Sequence, residues 1–118
     1  MRIEILYFKG CPNHEPAVSQ IQSALTAEGI EAFVEEVEVL DAATAQEKGF
    51  LGSPSIRVDG LDIEPAARNQ QAFGFGCRSY SDSEGRRSGL PTLALIRQAL
   101  IEASPPGAGA RALANEVF

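Results

Sequence analysis

The feature that most constrains this chain is a run of strand-forming residues that stops at a thiol turn and restarts as a helix. Ile3 to Phe8 is almost continuously apolar. The run from Arg2 to Phe8 therefore reads as a strand buried on both faces, at the centre of a sheet. Gly10-Cys11-Pro12-Asn13-His14 follows, and from Ala17 the residues Val18, Ile21, Ala24 and Leu25 recur at helical spacing up to Gly29. Gly29 supplies a left-handed C-terminal cap. A strand, a tight turn and a helix in that order begin a βαβ unit, which places a sheet under a covering helix.

The rest of the chain extends that beginning. Phe33 to Leu40 reads as a second strand. Phe33, Val37 and Val39 lie on one face, and Glu36 and Glu38 on the other. An acidic face suits an edge strand, because charge discourages edge-to-edge pairing, and its bland reading is solvation alone. Asp41 caps a short helix, Ala42 to Lys48, which stops at Gly49. Ser55 to Val58 and Leu61 to Glu64 flank Asp59-Gly60, the strongest short-range hairpin signal, and Pro65 closes the unit.

Residues 66–88 are polar, glycine-rich and without period, so a long loop over 65–88 is expected, with a helical turn near Ala66 to Gln71. Ser88 or Gly89 is the expected cap of a last helix with Pro91 in its first turn. Leu93, Ile96, Ala99 and Leu100 are its expected buried stripe, and Pro105-Pro106 its end. The expected organisation is one domain over residues 1–104 and a C-terminal tail over 105–118. The fold class expected is α/β, a mixed four-stranded sheet (βαβ-α-ββα) with helices on both faces.

Charge and cysteine usage narrow the function. The formal net charge is −6, and Arg86-Arg87 is the nearest thing to a basic cluster. A nucleic-acid partner is disfavoured, since phosphate recognition needs a basic footprint. Neither a signal peptide nor a membrane-length apolar span is read from the sequence, so the cytoplasm is the expected compartment and no membrane partner is expected. Two cysteines in that compartment point to reduced, reactive or metal-binding thiols rather than to a staple.

Cys11 lies at a strand-to-helix junction, where helix amides favour an anion, here a thiolate. Its bland reading is a small buried hydrophobe. The expectation is that Cys11 is partly exposed and is the more acidic of the two thiols. Pro16 lacks an N–H and must sit in the first turn. With Asn13 as N-cap, Cys11 falls two residues before the cap, which weakens the dipole argument without removing it.

Pro54 in Gly52-Ser53-Pro54-Ser55 immediately precedes the hairpin strand. A thiol that ends the first strand and a proline at this position together resemble a thioredoxin fold, over roughly residues 1–103. The resemblance implies that the Ser53–Pro54 bond is cis and packs against the Cys11 thiol. Cys11 matches the first cysteine of that family's redox motif. The second is replaced by His14, so dithiol exchange within one motif is excluded. Gly10-Cys11-Pro12, Gly52-Ser53-Pro54-Ser55-Ile56-Arg57-Val58-Asp59-Gly60 and Cys77-Arg78-Ser79-Tyr80 look like small bacterial thioredoxin-like proteins, some labelled as related to organomercurial lyase.

Topology supplies a candidate for the missing thiol. A hairpin whose first strand runs antiparallel to the first strand of the chain begins at the Cys11 edge and returns to it. The 65–88 loop therefore leaves from that edge, with Cys77 in its middle. The bland reading of Cys77 is an incidental loop thiol. His14 is a proton donor to a leaving thiol, a thiolate partner, or simply an exposed first-turn histidine. Phe73, Phe75 and Tyr80 either dock on the core or form a lid over Cys11. Arg57 and Arg78 either hold a carboxylate, such as that of glutathione, or are structurally paired.

Three functions follow as expectations. One is a thiol-disulfide oxidoreductase with Cys11, His14, Pro54 and Cys77 as site residues. It would require no resident cofactor and would use glutathione or another small thiol or disulfide as partner. The second is a protein that captures mercuric or another soft metal ion, or acts as an alkylmercury lyase, through Cys11 and Cys77. The third is a redox-inactive binding module. A homodimer is left open.

Overall fold

The computed structural model describes residues 1–104; the expected tail over 105–118 lies outside the described residues. Ten elements follow in order. They are β1 (Arg2–Tyr7), α1 (His14–Glu28), β2 (Phe33–Glu38), α2 (Ala42–Lys48), β3 (Ser55–Val58), β4 (Leu61–Asp62), a 3-10 turn (Pro65–Ala67), β5 (Tyr80–Ser81), β6 (Arg87–Ser88) and α3 (Leu93–Ala103). The main sheet has the order β2-β1-β3-β4. β1 pairs parallel to β2 and antiparallel to β3, so the sheet is mixed.

The local chemistry explains the boundaries. α1 ends where Gly29 takes the left-handed region at φ 66° and its N–H returns to the last turn. α2 is capped by the Asp41 carboxylate, which accepts from the Thr44 amide, and stops at Gly49, also left-handed. The hairpin turns on Asp59 (φ 50°) and Gly60 (φ 87°), both in the positive-φ region that a two-residue hairpin turn requires.

Strand alternation divides the core in two. Ile3, Ile5, Ile56 and Val58 face α1 and α3, meeting Ala17, Ile21, Ala24 and Leu25 from the first and Ile96, Ala99 and Leu100 from the second. Leu6 faces the other way, against Val39, Ala45 of α2, and Phe50. Helices thus cover both faces, and β1, with Ile3 and Ile5 on one face and Leu6 on the other, is the sheet's buried spine.

Four expectations change. The last helix is capped by Thr92, whose hydroxyl accepts from Leu95 N–H, rather than by Ser88 or Gly89; Pro91 precedes the cap. Leu93 consequently faces solvent at 51% exposure and leaves the buried stripe. The 65–88 loop is partly ordered. It opens with the 3-10 turn and carries the antiparallel ribbon β5–β6, closed by Asp82, whose carboxylate accepts from the Glu84 and Arg86 amides. β4 is also shorter than the sequence suggests, although Ile63 N–H still donates to Ile56 C=O. No described helix is long and apolar enough to cross a membrane.

Candidate functional site

β1 ends at Tyr7, and the chain turns through Gly10 at φ 89° before α1 begins. Cys11 N–H donates to Phe8 C=O at 3.2 Å, and Cys11 C=O accepts from His14 N–H at 3.3 Å. Asn13 is the N-cap, so Cys11 lies two residues before it, and Pro16 fits the first turn. The thiol is free and half-buried. It stands at the C-terminal edge of β1, between β2 on one side and β3 on the other.

Cys77 reaches the same edge by a route that local sequence does not reveal. Residues 74–78 run alongside 50–53 as a parallel strap. Gly74 N–H donates to Phe50 C=O at 3.0 Å, Ser53 N–H to Gly76 C=O at 2.8 Å, and Arg78 N–H to Ser53 C=O at 3.0 Å. Ser53 and Cys77 are bridge partners. Ser53 is also tied to the Cys11 turn, because its hydroxyl accepts from Phe8 N–H at 3.3 Å. The Phe8 and Phe75 rings meet with centroids 5.1 Å apart. The Cys77 thiol is free and exposed. Further on, Gly89 packs so closely on Asn13 that a Cβ there would overlap the Asn13 amide. The segment from Phe75 to Gly89 therefore meets the chain around Cys11 at both ends, Phe8 at one and Asn13 at the other.

The Ser53–Pro54 peptide is cis, and Pro54 is buried. Its carbonyl accepts from Tyr80 Oη at 2.6 Å. Tyr80 is core, at 1% exposure, and not part of a lid. Burial holds its hydroxyl well above the usual tyrosine range.

Arg78 is the anchor of the strap. Its guanidinium makes a two-pronged pair with Asp62, at 2.6 and 2.8 Å, and reaches Ser55 Oγ at 3.2 Å and Glu64 at 3.3 Å. The Arg78 and Asp62 side chains are 5% and 9% exposed. The guanidinium also lies 4.4 Å from the Tyr80 ring centre. Burial, the largest single influence, lowers an arginine, but the Asp62 hydrogen bond and the negative groups around it, Glu64 included, together outweigh it and hold Arg78 above its usual range. Arg78 is thus spent on structure, which removes it as a carboxylate holder. Gly52 makes this fit feasible. At φ 121°, its missing Cβ would stand 2.9 Å from Arg78 Cβ and 3.0 Å from Arg78 N.

Arg57 is occupied as well. It donates to the Lys48 and Gly49 carbonyls at 2.7 and 3.0 Å and so closes the C-terminus of α2. It lines a cavity of about 190 Å³ together with Leu51, Gly60, Leu61, Gln70 and Phe73. Gly60 and Leu61 belong to the hairpin turn, at the opposite end of β3 from Pro54, so this cavity is not the thiol rim. Phe73 thereby packs beside α2, and Phe75 alone of the three loop aromatics packs on the Cys11 turn.

His14 is drawn to the other side of β1. Its Nε2 lies 2.6 Å from Glu36 Oε1 on β2, and its ring stacks on Tyr7 at 3.6 Å between centroids. At 17% side-chain exposure it is not a free first-turn histidine. Glu36, part of the acidic face of β2, serves this contact and is not merely solvated. Tyr7 is raised by burial, then by Glu38 and Glu36. The structure therefore brings Cys11, Pro54 and Cys77 toward Ser53, and takes the imidazole toward β2.

Ser53, Gly52, Asp62 and Glu36 escaped sequence reasoning. Gly52 carried a usable signal, as a glycine directly before Ser-Pro. Asp62 and Glu36 carried none, since their partners are 16 and 22 residues away. Among the described residues, no group of three or more His, Cys, Asp or Glu side chains is placed to hold a metal ion. Comparison with family models, curated proteins and solved structures gives no match to this chain.

Proposed function

We propose that the chain is a thioredoxin-like thiol-disulfide exchange protein in which Cys11 attacks and Cys77 resolves. The observation that carries this reading is the backbone pairing of Cys77 with Ser53, whose hydroxyl also holds the Cys11 turn. Two free thiols on segments tied to one serine suit a two-step exchange.

The Cys11 thiolate attacks one sulfur of a disulfide R–S–S–R. The S–S bond breaks, a mixed disulfide Cys11–S–S–R forms, and R–S⁻ leaves to take a proton from solvent. The Cys77 thiolate then attacks the Cys11 sulfur and expels the second R–S⁻. The substrate has gained two electrons and the cysteine pair has lost two. Two equivalents of a small thiol, of the glutathione type, return the pair to its reduced form and leave as their own disulfide. His14 is assigned no proton transfer, because Glu36 and Tyr7 hold its ring.

The test is turnover of a small disulfide in the presence of excess small thiol, comparing the native protein with Cys11→Ser and Cys77→Ser. Loss of all activity in Cys11→Ser, and, when the small thiol is left out, a mixed disulfide trapped on Cys11 in Cys77→Ser but not in the native protein, are the expected results. Equal slow rates in all three proteins would refute the reading. Tight binding of one mercuric ion by the pair without any turnover would replace it with soft-ion capture by two thiolates.

A further inference from the structure

An extended peptide docks at a reactive site by adding a strand, borrowing unpaired N–H and C=O groups from an exposed edge. The backbone edge of residues 50–53 is tied to the Cys11 turn through the Ser53 hydroxyl on Phe8 N–H, and it is already taken. Ser53 spends both its N–H and its C=O on the chain's own strap, at 2.8 and 3.0 Å, and Phe50 C=O is spent on Gly74. The strap is fixed at one end by the buried Arg78–Asp62 pair and covered near the other by Phe75 on Phe8. A peptide seeking this edge must displace a segment that is hydrogen-bonded, glycine-fitted at Gly52 and anchored by a buried charge.

We infer that the strap 74–78 stands where a peptide substrate would pair, so the external partner of the thiol site is a low-molecular-weight thiol or disulfide and not a protein disulfide. This rests on the exchange reading given above. The strap then has two roles. It delivers Cys77 as the internal partner of Cys11, and it leaves Cys11 half-buried rather than sealed, which a small disulfide can reach without backbone pairing. Arg78 is a positioning residue for the strap, since its guanidinium bonds to Asp62, Ser55 and Glu64.

The experiment compares 2-hydroxyethyl disulfide with insulin as substrates, each with the uncatalysed rate subtracted. It uses the native protein and the Asp62→Leu/Arg78→Met double variant, which frees the strap without leaving a buried charge alone. Amide hydrogen exchange at Gly74, Ser53 and Arg78 reads the strap directly. The expected result is turnover of the small disulfide and none of insulin by the native protein, with those amides protected. In the double variant, protection falls and insulin turnover rises relative to the small disulfide. Insulin turnover by the native protein at a rate comparable to the small disulfide overturns the inference while leaving the exchange reading intact. A substrate ratio unchanged in a folded double variant with lost protection overturns it too. Turnover of neither substrate removes the exchange reading, and the inference falls with it.

Discussion

Removing one partner of the Arg78–Asp62 pair should cost a large share of the protein's stability. Asp62→Leu leaves the guanidinium in a site where its side chain is 5% exposed, with Glu64 as the remaining carboxylate at 3.3 Å. Breaking a buried pair by deleting one member costs about 3–5 kcal/mol. Glu64 is more exposed and less well aligned, so it recovers only part of the loss, and about 3 kcal/mol is the working figure. Against a total of about 5–15 kcal/mol for a single domain, this brings the protein near its folding threshold. The assay is urea unfolding followed by far-ultraviolet circular dichroism. With a slope of about 1.5 kcal/mol per molar urea, the midpoint should fall by about 2 M. Asp62→Leu/Arg78→Met removes both charges and should lie within about 1 kcal/mol of the native protein in global stability, because the desolvation cost disappears with the pair, while the strap, without the Arg78 bonds to Asp62, Ser55 and Glu64, opens locally. A single change costing under about 1 kcal/mol, or a double variant showing the full sum of the two singles, would refute the argument that this pair anchors the strap.

Three further variants test particular contacts. Gly52→Ala should loosen the strap, because the new Cβ meets the Arg78 backbone at φ 121°; faster alkylation at Cys77, measured by mass spectrometry, checks it. Tyr80→Phe leaves Pro54 C=O buried without its donor and should cost about 1–3 kcal/mol in the same unfolding assay. The raised Tyr80 pKa gives stability that is complete below the ordinary tyrosine value of about 10 and is lost as pH rises above it. Tyr80→Phe should therefore flatten the alkaline limb of the stability profile. Asp41 is held below the usual carboxylate range, first by the Thr44 amide. Its contribution is present above the unfolded value of about 3.9 and is lost as pH falls below it, so Asp41→Asn should flatten the acid limb.

The sequence shows the main sheet wherever the signal is local. Asp41, Gly49, Gly29 and Asp59-Gly60 each dictate a cap or a turn within four residues of themselves, and each appears in the structure at that place. The order β1-α1-β2-α2-β3-β4 follows from them. β5 and β6 were hidden because two-residue strands built from Tyr80-Ser81 and Arg87-Ser88 are too short to show alternation. The Thr92 cap was hidden by Pro91, which reads equally well as the first residue of a helix or the residue before its cap. At the candidate site, strand direction places the Cys77 loop and Cys11 at one edge. The pairing partner Ser53 was not readable, since a bridge across 24 residues leaves no mark in either segment. Arg78 is readable from the sequence only as a choice between a carboxylate holder and a structurally paired arginine, and the fold decides for the second by bringing it to Asp62.

Mild oxidation of the reduced protein, followed by peptide mass spectrometry, tests the central claim most directly. A disulfide requires Cα atoms within roughly 7 Å, so its formation reports whether the two segments tied to Ser53 bring their thiols together. The account predicts one intramolecular Cys11–Cys77 bond in a monomer, formed stoichiometrically and absent from Cys77→Ser. Sulfinic acid at Cys11, or disulfide-linked dimers with Cys11 and Cys77 each bonded to a second chain, would contradict it.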